Sequence, residues 1–362
     1  MAKKLAFDPL LFSSIIVLLT LGLAMVFSAG TAVAQAQGLT ANAFLVKQVA
    51  WALLGLALGG ALMLVDYRRL RRGWLVYGSL LGVVALLVVV LFSPALNETH
   101  RWIFLGPLSI QPSELAKLAL ILFLAYQIQR HEERFAQDLP TLLPTAVVLA
   151  LLAGLVLLQP DLGTACMLVL IAATVLFLAG LPWRWVLLGG ASGVVAVGLA
   201  ILAADYRRER LLAFLAPEKD PLGSGYQALQ SLIAVGSGGF TGLGVGQSLQ
   251  KLHFLPYPHS DFIYAIIGEE LGLVGALAVV VLFGLLLWRG MRAGYRAPDL
   301  FGRYLAYGLT LGLVLQALIN VSVTLSLLPT KGIPLPFISY GGSSLVVTLA
   351  SCGILLNVSQ HG

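Results

Sequence analysis

Apolar residues in this chain fall in continuous runs of about twenty, separated by short polar breaks rich in Gly, Pro, Asp and Arg. A helix needs about 20 apolar residues to cross the hydrocarbon core of a bilayer, whereas a spanning β-barrel would alternate. The pattern predicts about ten spans, at 10–29, 44–65, 74–93, 113–129, 141–158, 162–180, 184–203, 261–288, 301–325 and 338–357. The implied fold is an all-α polytopic membrane domain over residues 1–362, with one long extracytoplasmic loop at 204–260. Inside that loop, 205–216 joins a basic end to Leu and Phe, and 226–235 is weakly amphipathic. Both are expected as helices lying in the membrane interface.

Of 362 residues, 59% are hydrophobic and only 10% charged, a balance foreign to soluble domains. The net charge of +6 does not point to nucleic acid, because the cations gather at the ends of apolar runs. With the N-terminus in the cytoplasm, Lys3, Lys4, Arg68, Arg69, Arg71, Arg72, Arg130, Arg134, Arg184, Arg289, Arg292, Arg296 and Arg303 all fall inside. The short outer loops then hold chiefly Arg101 and Lys331. Positive charge therefore places both termini in the cytoplasm, and a long outer loop is exempt from the rule. The first run is long enough to stay as a span instead of a cleaved leader. Cys166 and Cys352 each sit in an apolar run and are expected to pack, not to bridge; no spacing suggests zinc.

Ionisable residues at the edges of apolar segments are expensive and mark function by default. Asp261 stands where a Pro-kinked loop feeds a long apolar run, and either caps the following helix or serves chemistry. Glu114 and Lys117 lie three apart on one helix face, as an internal ion pair or as ligand groups. Arg101 and Trp102 share an outer loop with Gln111, while Gln159 and Asp161 lie in a short outer turn. Asp161 also suits a helix start. Ser339 and Tyr340 follow a Pro-rich break, and Arg207, Arg210, Lys251, His259 and Ser260 belong to the long loop. The glycine-rich run 236–248 fits no G-x-G-x-x-G frame and is expected as flexible backbone offering N–H groups to an anion. Gly55 with Gly59, and Gly268 with Gly272, have the spacing of close helix packing. Asn97-Glu98-Thr99 matches a glycosylation sequon by chance. A topology drawn from cations alone sends all these polar stretches outward, so one outward-facing cavity is expected.

At RWI and QPSELAK (101–117), QPDLGTA (159–165), the segment around 220–231, GLGVGQSLQK (242–251), PHSDFIYAIIGEELG (258–272) and LPFISYGGSS (335–344), the chain resembles the SEDS family of bacterial cell-wall polymerases, which includes FtsW, RodA and SpoVE. GLGVGQSLQK and LPTKGIPLPFISYGGSS look more FtsW-like than RodA-like. The resemblance implies a peptidoglycan glycosyltransferase that polymerises lipid II at the outer face of the cytoplasmic membrane for septal or lateral wall synthesis. It implies a class B penicillin-binding protein as partner, alongside other divisome or elongasome proteins. Carried over by motif, Asp261 is the essential acid, and Glu114 and Lys117 match the acidic/basic pair. Where the family commonly has LPEAHTDF this chain has LPYPHSDF, so the carboxylate before the His is absent.

These residues suggest Asp261 as general base on an acceptor hydroxyl, or as ligand to a divalent cation such as magnesium or manganese. Lys117, Arg101 and the cations of 207–210 would face the departing pyrophosphate. Arg101, Trp102, Gln111, Gln159, Arg207, Arg210, Lys251, His259, Ser260, Ser339 and Tyr340 are the expected substrate-binding set. A lipid II flippase would need charges along a path through the bilayer, and a non-catalytic scaffold would leave Glu114, Lys117 and Asp261 without a task.

Overall fold

A computed structural model describes residues 7–93, 100–105, 108–132, 139–202, 205–219, 223, 225–252 and 254–362. In chain order the elements are α1 (Pro9–Ala36), α2 (Ala43–Leu64), α3 (Gly73–Val90), a hairpin of β1 (Ile103–Leu105) and β2 (Leu108–Ile110), α4 (Pro112–His131), α5 (Leu139–Leu158), α6 (Leu162–Leu178) and α7 (Trp183–Leu202). The long loop contributes α8 (Asp205–Leu215) and α9 (Tyr226–Ser237), after which come α10 (Ile263–Arg296), α11 (Leu300–Thr324) and α12 (Gly342–Ser359). Seven of these helices are long and apolar enough to cross a membrane: α1, α2, α3, α5, α10, α11 and α12. With α4, α6 and α7 they make the ten long helices that the hydrophobic runs predict. The sequon at 97–99 lies outside the described residues.

Three helix ends differ most from expectation: α1 runs to Ala36 instead of 29, α10 runs to Arg296 instead of 288, and the last span starts late. The last span begins at Gly342, not at 338, because Ser339 and Tyr340 bond instead to the loop before α10 and the Gly341 N–H to Gln48. The antiparallel β1–β2 hairpin was not expected in a loop this short; Ile103 pairs with Ile110 and Leu105 with Leu108.

Helix α11 runs through the middle of the bundle against α10, α4, α6 and α12, and α12 packs along α2. Gly55 and Gly59 serve the packing role their spacing suggests. A Cβ on Gly55 would overlap Leu349, and one on Gly353 would overlap the backbone of Gly59. Removing side chains here lets two backbones approach closely. At the Arg-rich end of the bundle, Asp8 caps α1 and pairs with Arg289, while the Tyr67 hydroxyl donates to Asp299 at 2.6 Å.

The decisive irregularity is in α10, which is two helices joined at Gly272 with φ of 65°. That left-handed conformation is open to glycine and costly to most residues. Gly272 is therefore a kink as well as the close-packing site its spacing suggested, since a Cβ there would overlap the backbone of Phe240 and Gly242. The break frees backbone groups on both sides, and the glycine-rich run takes them up. The N–H groups of Leu243 and Gly244 donate to the carbonyls of Glu269 and Glu270, both at 3.0 Å, while the N–H groups of Leu273 and Val274 donate to the carbonyls of Gly239 and Phe240. Gly242, Gly244 and Gly246 all have positive φ. These glycines are folded onto the kink and are not offered to an anion.

The two carboxylates beside the kink are buried and fully engaged. Glu269 accepts from the Ser248 hydroxyl at 2.5 Å and from the N–H groups of Leu249 and Gln250. Glu270 accepts from Ser28 at 2.6 Å and pairs with the Lys251 ammonium at 2.7 Å. Lys251, expected to bind substrate, is thus committed to Glu270 and Ser28. Breaking a buried pair from one side strands a charge and costs roughly 3–5 kcal/mol. Lys251→Met should accordingly lower the melting temperature of the purified protein sharply, and adding Glu270→Gln should restore most of the loss. Equal melting temperatures for wild type and Lys251→Met would show that the pair does not hold this loop.

Candidate functional site

Asp261 lies in the turn before α10 and does not cap it. The helix starts at Ile263 with Phe262 at the cap position and no side-chain capping bond. The carboxylate is surrounded by protein yet retains an opening to solvent. Burial pushes its pKa up to about 6, held back by the positive charges of Arg210 and Arg101 and raised further by Asp161. Three stretches distant in sequence thus act on one carboxyl group. Gly332 closes one side, where a Cβ would come to 3.0 Å from Asp261 Oδ2.

Each neighbour is held by an identifiable bond. Arg101 donates from its guanidinium to the carbonyls of Gln159, at 3.2 Å, and Pro160, at 2.5 Å, which ties the hairpin loop to the α5–α6 turn. Asp161 caps α6: its Oδ1 accepts from the Thr164 N–H at 3.0 Å and its Oδ2 from the Thr164 hydroxyl at 2.8 Å. Gln159 is fully buried and donates to the Leu87 carbonyl at 3.2 Å, so its amide serves the framework. Arg210 is an exposed residue of α8. The side chain of Arg207 lies outside the described set.

Deeper in the bundle, Glu114 and Lys117 form an ion pair at 2.8 Å within α4, and both are largely buried. Pro112 opens that helix and Gln111 caps it through its backbone, its N–H donating to Ser343 Oγ at 3.3 Å. Lys117 also donates to Gln316 Oε1, and Gln316 in turn donates to the Pro334 carbonyl at 2.8 Å. One turn along α11, Asn320 donates to the carbonyls of Asp261, at 2.9 Å, and Ile333, at 2.8 Å. The spacing of four puts both amides on one helix face. A chain of bonds therefore runs from the Glu114–Lys117 pair through α11 to the segment carrying Asp261. A void of about 30 Å³ beside the pair, reaching Thr348 and Ser351, has room for water.

The loop before α12 closes the same neighbourhood. Ser339 Oγ donates to the Ser260 carbonyl at 2.6 Å and accepts from the Leu335 N–H at 2.7 Å, and the Tyr340 N–H donates to the His259 carbonyl at 2.9 Å. Gln48 of α2 brackets this loop, donating to the Ser339 carbonyl and accepting from the Gly341 N–H. His259 is buried against Phe44 and Tyr340, ring centroids 4.6 and 5.5 Å away. Burial lowers its pKa to about 4, so at neutral pH it presents an uncharged ring, not a cation. Trp102 is half-buried in the Arg101 loop.

The sequence-expected residues therefore divide. Asp261, Arg101 and Arg210 converge; Glu114 and Lys117 reach that point through Gln316; Gln111, Gln159, Ser260 and Ser339 hold loops; Lys251 is spent elsewhere. Gln316, Asn320 and Gln48 carried no sequence signal, since isolated amides in apolar helices have no motif. Glu269 and Glu270 did carry one, two adjacent carboxylates in an apolar stretch. As a metal site the donor set is thin. Among the described residues no three potential ligands cluster, and Asp161 already spends both oxygens on Thr164, leaving Asp261 as a single carboxylate.

The chain has relatives along nearly its whole length. The chain is 44% identical over 359 residues to a probable peptidoglycan glycosyltransferase FtsW of Thioalkalivibrio sulfidiphilus, covering 96% of this chain and 88% of the relative. It is 40% identical over 367 residues to stage V sporulation protein E of Bacillus subtilis, covering 99% and 98%. Among solved structures it superposes on a chain of a peptidoglycan synthase complex, described as coordinating polymerization and crosslinking, with a TM-score of 0.81, 35% identity and 98% of each chain covered. The rod shape determining protein RodA of Thermus thermophilus gives a TM-score of 0.72 at 31% identity, covering 98% and 97%. With the family model matching residues 9–362 as well, this chain belongs to the Cell cycle protein family of FtsW, RodA and SpoVE.

Proposed function

We propose that this multi-pass membrane protein is a peptidoglycan glycosyltransferase of the FtsW type, polymerising lipid II at the outer face of the cytoplasmic membrane with both termini inside. The names of its relatives support the glycosyltransferase activity, and the cation distribution supports the orientation. The observation that carries the mechanism is a non-capping carboxylate, raised to about 6, faced by two arginines from separate loops.

In this reading Asp261 takes the proton from the C4 hydroxyl of the acceptor glucosamine as that oxygen attacks the anomeric carbon of the lipid-linked donor. The new C–O bond forms with inversion while the bond from the anomeric carbon to the pyrophosphate oxygen breaks. Arg210 and Arg101 stand where charge develops on the departing pyrophosphate, the kind of fixed stabilisation that contributes most to such transfers. A carboxylate near pKa 6 is a better base at neutral pH than an ordinary one, and still mostly ionised. Glu114 and Lys117 act as positioning residues through Gln316. The synthase-complex neighbour supports a crosslinking partner, which we take to be a class B penicillin-binding protein.

Labelled lipid II incubated with purified protein, with and without that partner, should yield glycan ladders. Asp261→Asn should reduce turnover by about 10²–10⁴-fold with binding nearly intact. Full activity in that variant would sink the proposal, and lipid II crossing vesicle membranes without ladders would make the protein a flippase instead.

Turnover by the wild type should fall as pH drops through about 6, where Asp261 takes up its proton. Stability runs the other way. The native state holds this proton more tightly than the unfolded chain, so stability declines as pH rises from about 4 to 6 and is lowest, for this group, above 6. Asp261→Asn should therefore melt higher than wild type at pH 7.5, with the gap closing below pH 4. A lower melting temperature at pH 7.5 would mean that the carboxylate stabilises the fold.

The coupling through α11 has its own test. Lys117→Met should lower kcat with little change in KM, and Gln316→Leu should reproduce the defect while leaving the Glu114–Lys117 pair in place. Normal turnover in Gln316→Leu would break the proposed link.

A further inference from the structure

At the Arg-rich end of the bundle, away from Asp261 along α4, a cleft of about 350 Å³ opens between α3, α4 and α5. Its walls are apolar where Leu80, Phe123 and Val148 face it, and polar where α4 contributes Gln127, Arg130 and His131. Gln127 is only 3% exposed, yet its Oε1 has no hydrogen-bond partner. Leaving such a group unpaired in a buried setting costs about 1–3 kcal/mol, so a native structure normally supplies it with one. Arg130 is exposed at the cleft and makes no ion pair among the described residues. His131 Nδ1 lies 3.0 Å from the Gln127 carbonyl, which ties the last turn of α4 together beneath the cleft.

The level of the cleft matters as much as its lining. Trp74, 68% exposed, and Tyr77, 42% exposed, sit in the first turns of α3 beside it. Exposed indole and phenol rings at a helix end mark the boundary between hydrocarbon and headgroups. A guanidinium and an amide oxygen, both unpaired among the described residues, and an imidazole thus share one cleft at headgroup depth, continuous with an apolar wall.

We infer that this cleft is a phospholipid-binding site, with Arg130 holding the headgroup phosphodiester, Gln127 Oε1 accepting from a headgroup hydroxyl, and an acyl chain lying along Pro144 and Val148. Arginine suits a phosphate because its fork of donors matches two oxygens at once. The lipid comes from the leaflet at the Arg130 end of α4, which is the inner leaflet in the orientation proposed above. Lipid retention does not depend on that orientation, so an inverted topology would change the leaflet and leave the site. Nor does the site touch Asp261, so its variants are separable from the transfer chemistry.

The test is native mass spectrometry of the full-length protein, stripped of lipid and titrated with phosphatidylglycerol. Wild type should retain one lipid tightly. Arg130→Gln should weaken that retention by about fivefold, the effect of one cation near the headgroups. Val148→Trp, which fills the cleft from its neutral wall, should abolish it. Excess inorganic phosphate should not displace the lipid. Thermal melting of each lipid-free variant, matched to lipid-free wild type, separates a lost site from a lost fold. Equal retention by wild type and both folded variants overturns the site, and displacement by inorganic phosphate overturns its assignment to a lipid.

Discussion

Hydrocarbon offers no water to a broken helix, so every backbone group released inside a bundle must find a protein partner. The kink at Gly272 is where this constraint bears hardest. Positive φ at one residue interrupts the ladder of α10, and the chain from Gly238 to Lys251 folds back to complete it. Glu269 and Glu270 then anchor that returning chain through Ser248, Ser28 and Lys251. The strap ends at Lys251, and the segment carrying Asp261 is then held by bonds from Tyr340, Ser339 and Asn320 to the carbonyls of residues 259, 260 and 261.

Helix α11 supplies the second constraint on the same carboxylate. Gln316 and Asn320 reach from one face to the carbonyls of residues 261, 333 and 334. Amides suit this task because they remain neutral and carry both donors and an acceptor. Gln316 uses both ends, accepting from Lys117 and donating to Pro334. The ion pair in α4 is weak evidence for stability by itself, since desolvation offsets much of its attraction. Its value lies in giving Gln316 a fixed charged partner.

The electrostatics of the site set stability against activity. A carboxyl group raised to about 6 is a native-state cost at neutral pH, and the arginines that could have removed that cost only reduce it. Arg101 is held to two backbone carbonyls and Arg210 stands on an exposed helix, so neither collapses onto Asp261 as a closed salt bridge. The arrangement leaves a base that can accept a proton, beside positive charges that act on it without closing onto it. A tight pair such as Lys251–Glu270 offers neither.

Hydrophobic run length determined the ten long helices and most of their ends, because span length is set by bilayer thickness and needs no knowledge of neighbours. The same logic singled out Asp261, Glu114 and Lys117, since a charge beside an apolar run is costly wherever it later packs. Pairing was not legible. Lys251 and Arg101 look alike in sequence, and only the fold commits one to a buried glutamate and the other to a loop beside Asp261. Gly272 and Gly59 share a spacing motif and both admit a close neighbour, yet only Gly272 also bends its helix. Gln316 and Asn320 were invisible because an amide's role depends on which carbonyl lies within 3 Å, a distance that only tertiary packing creates.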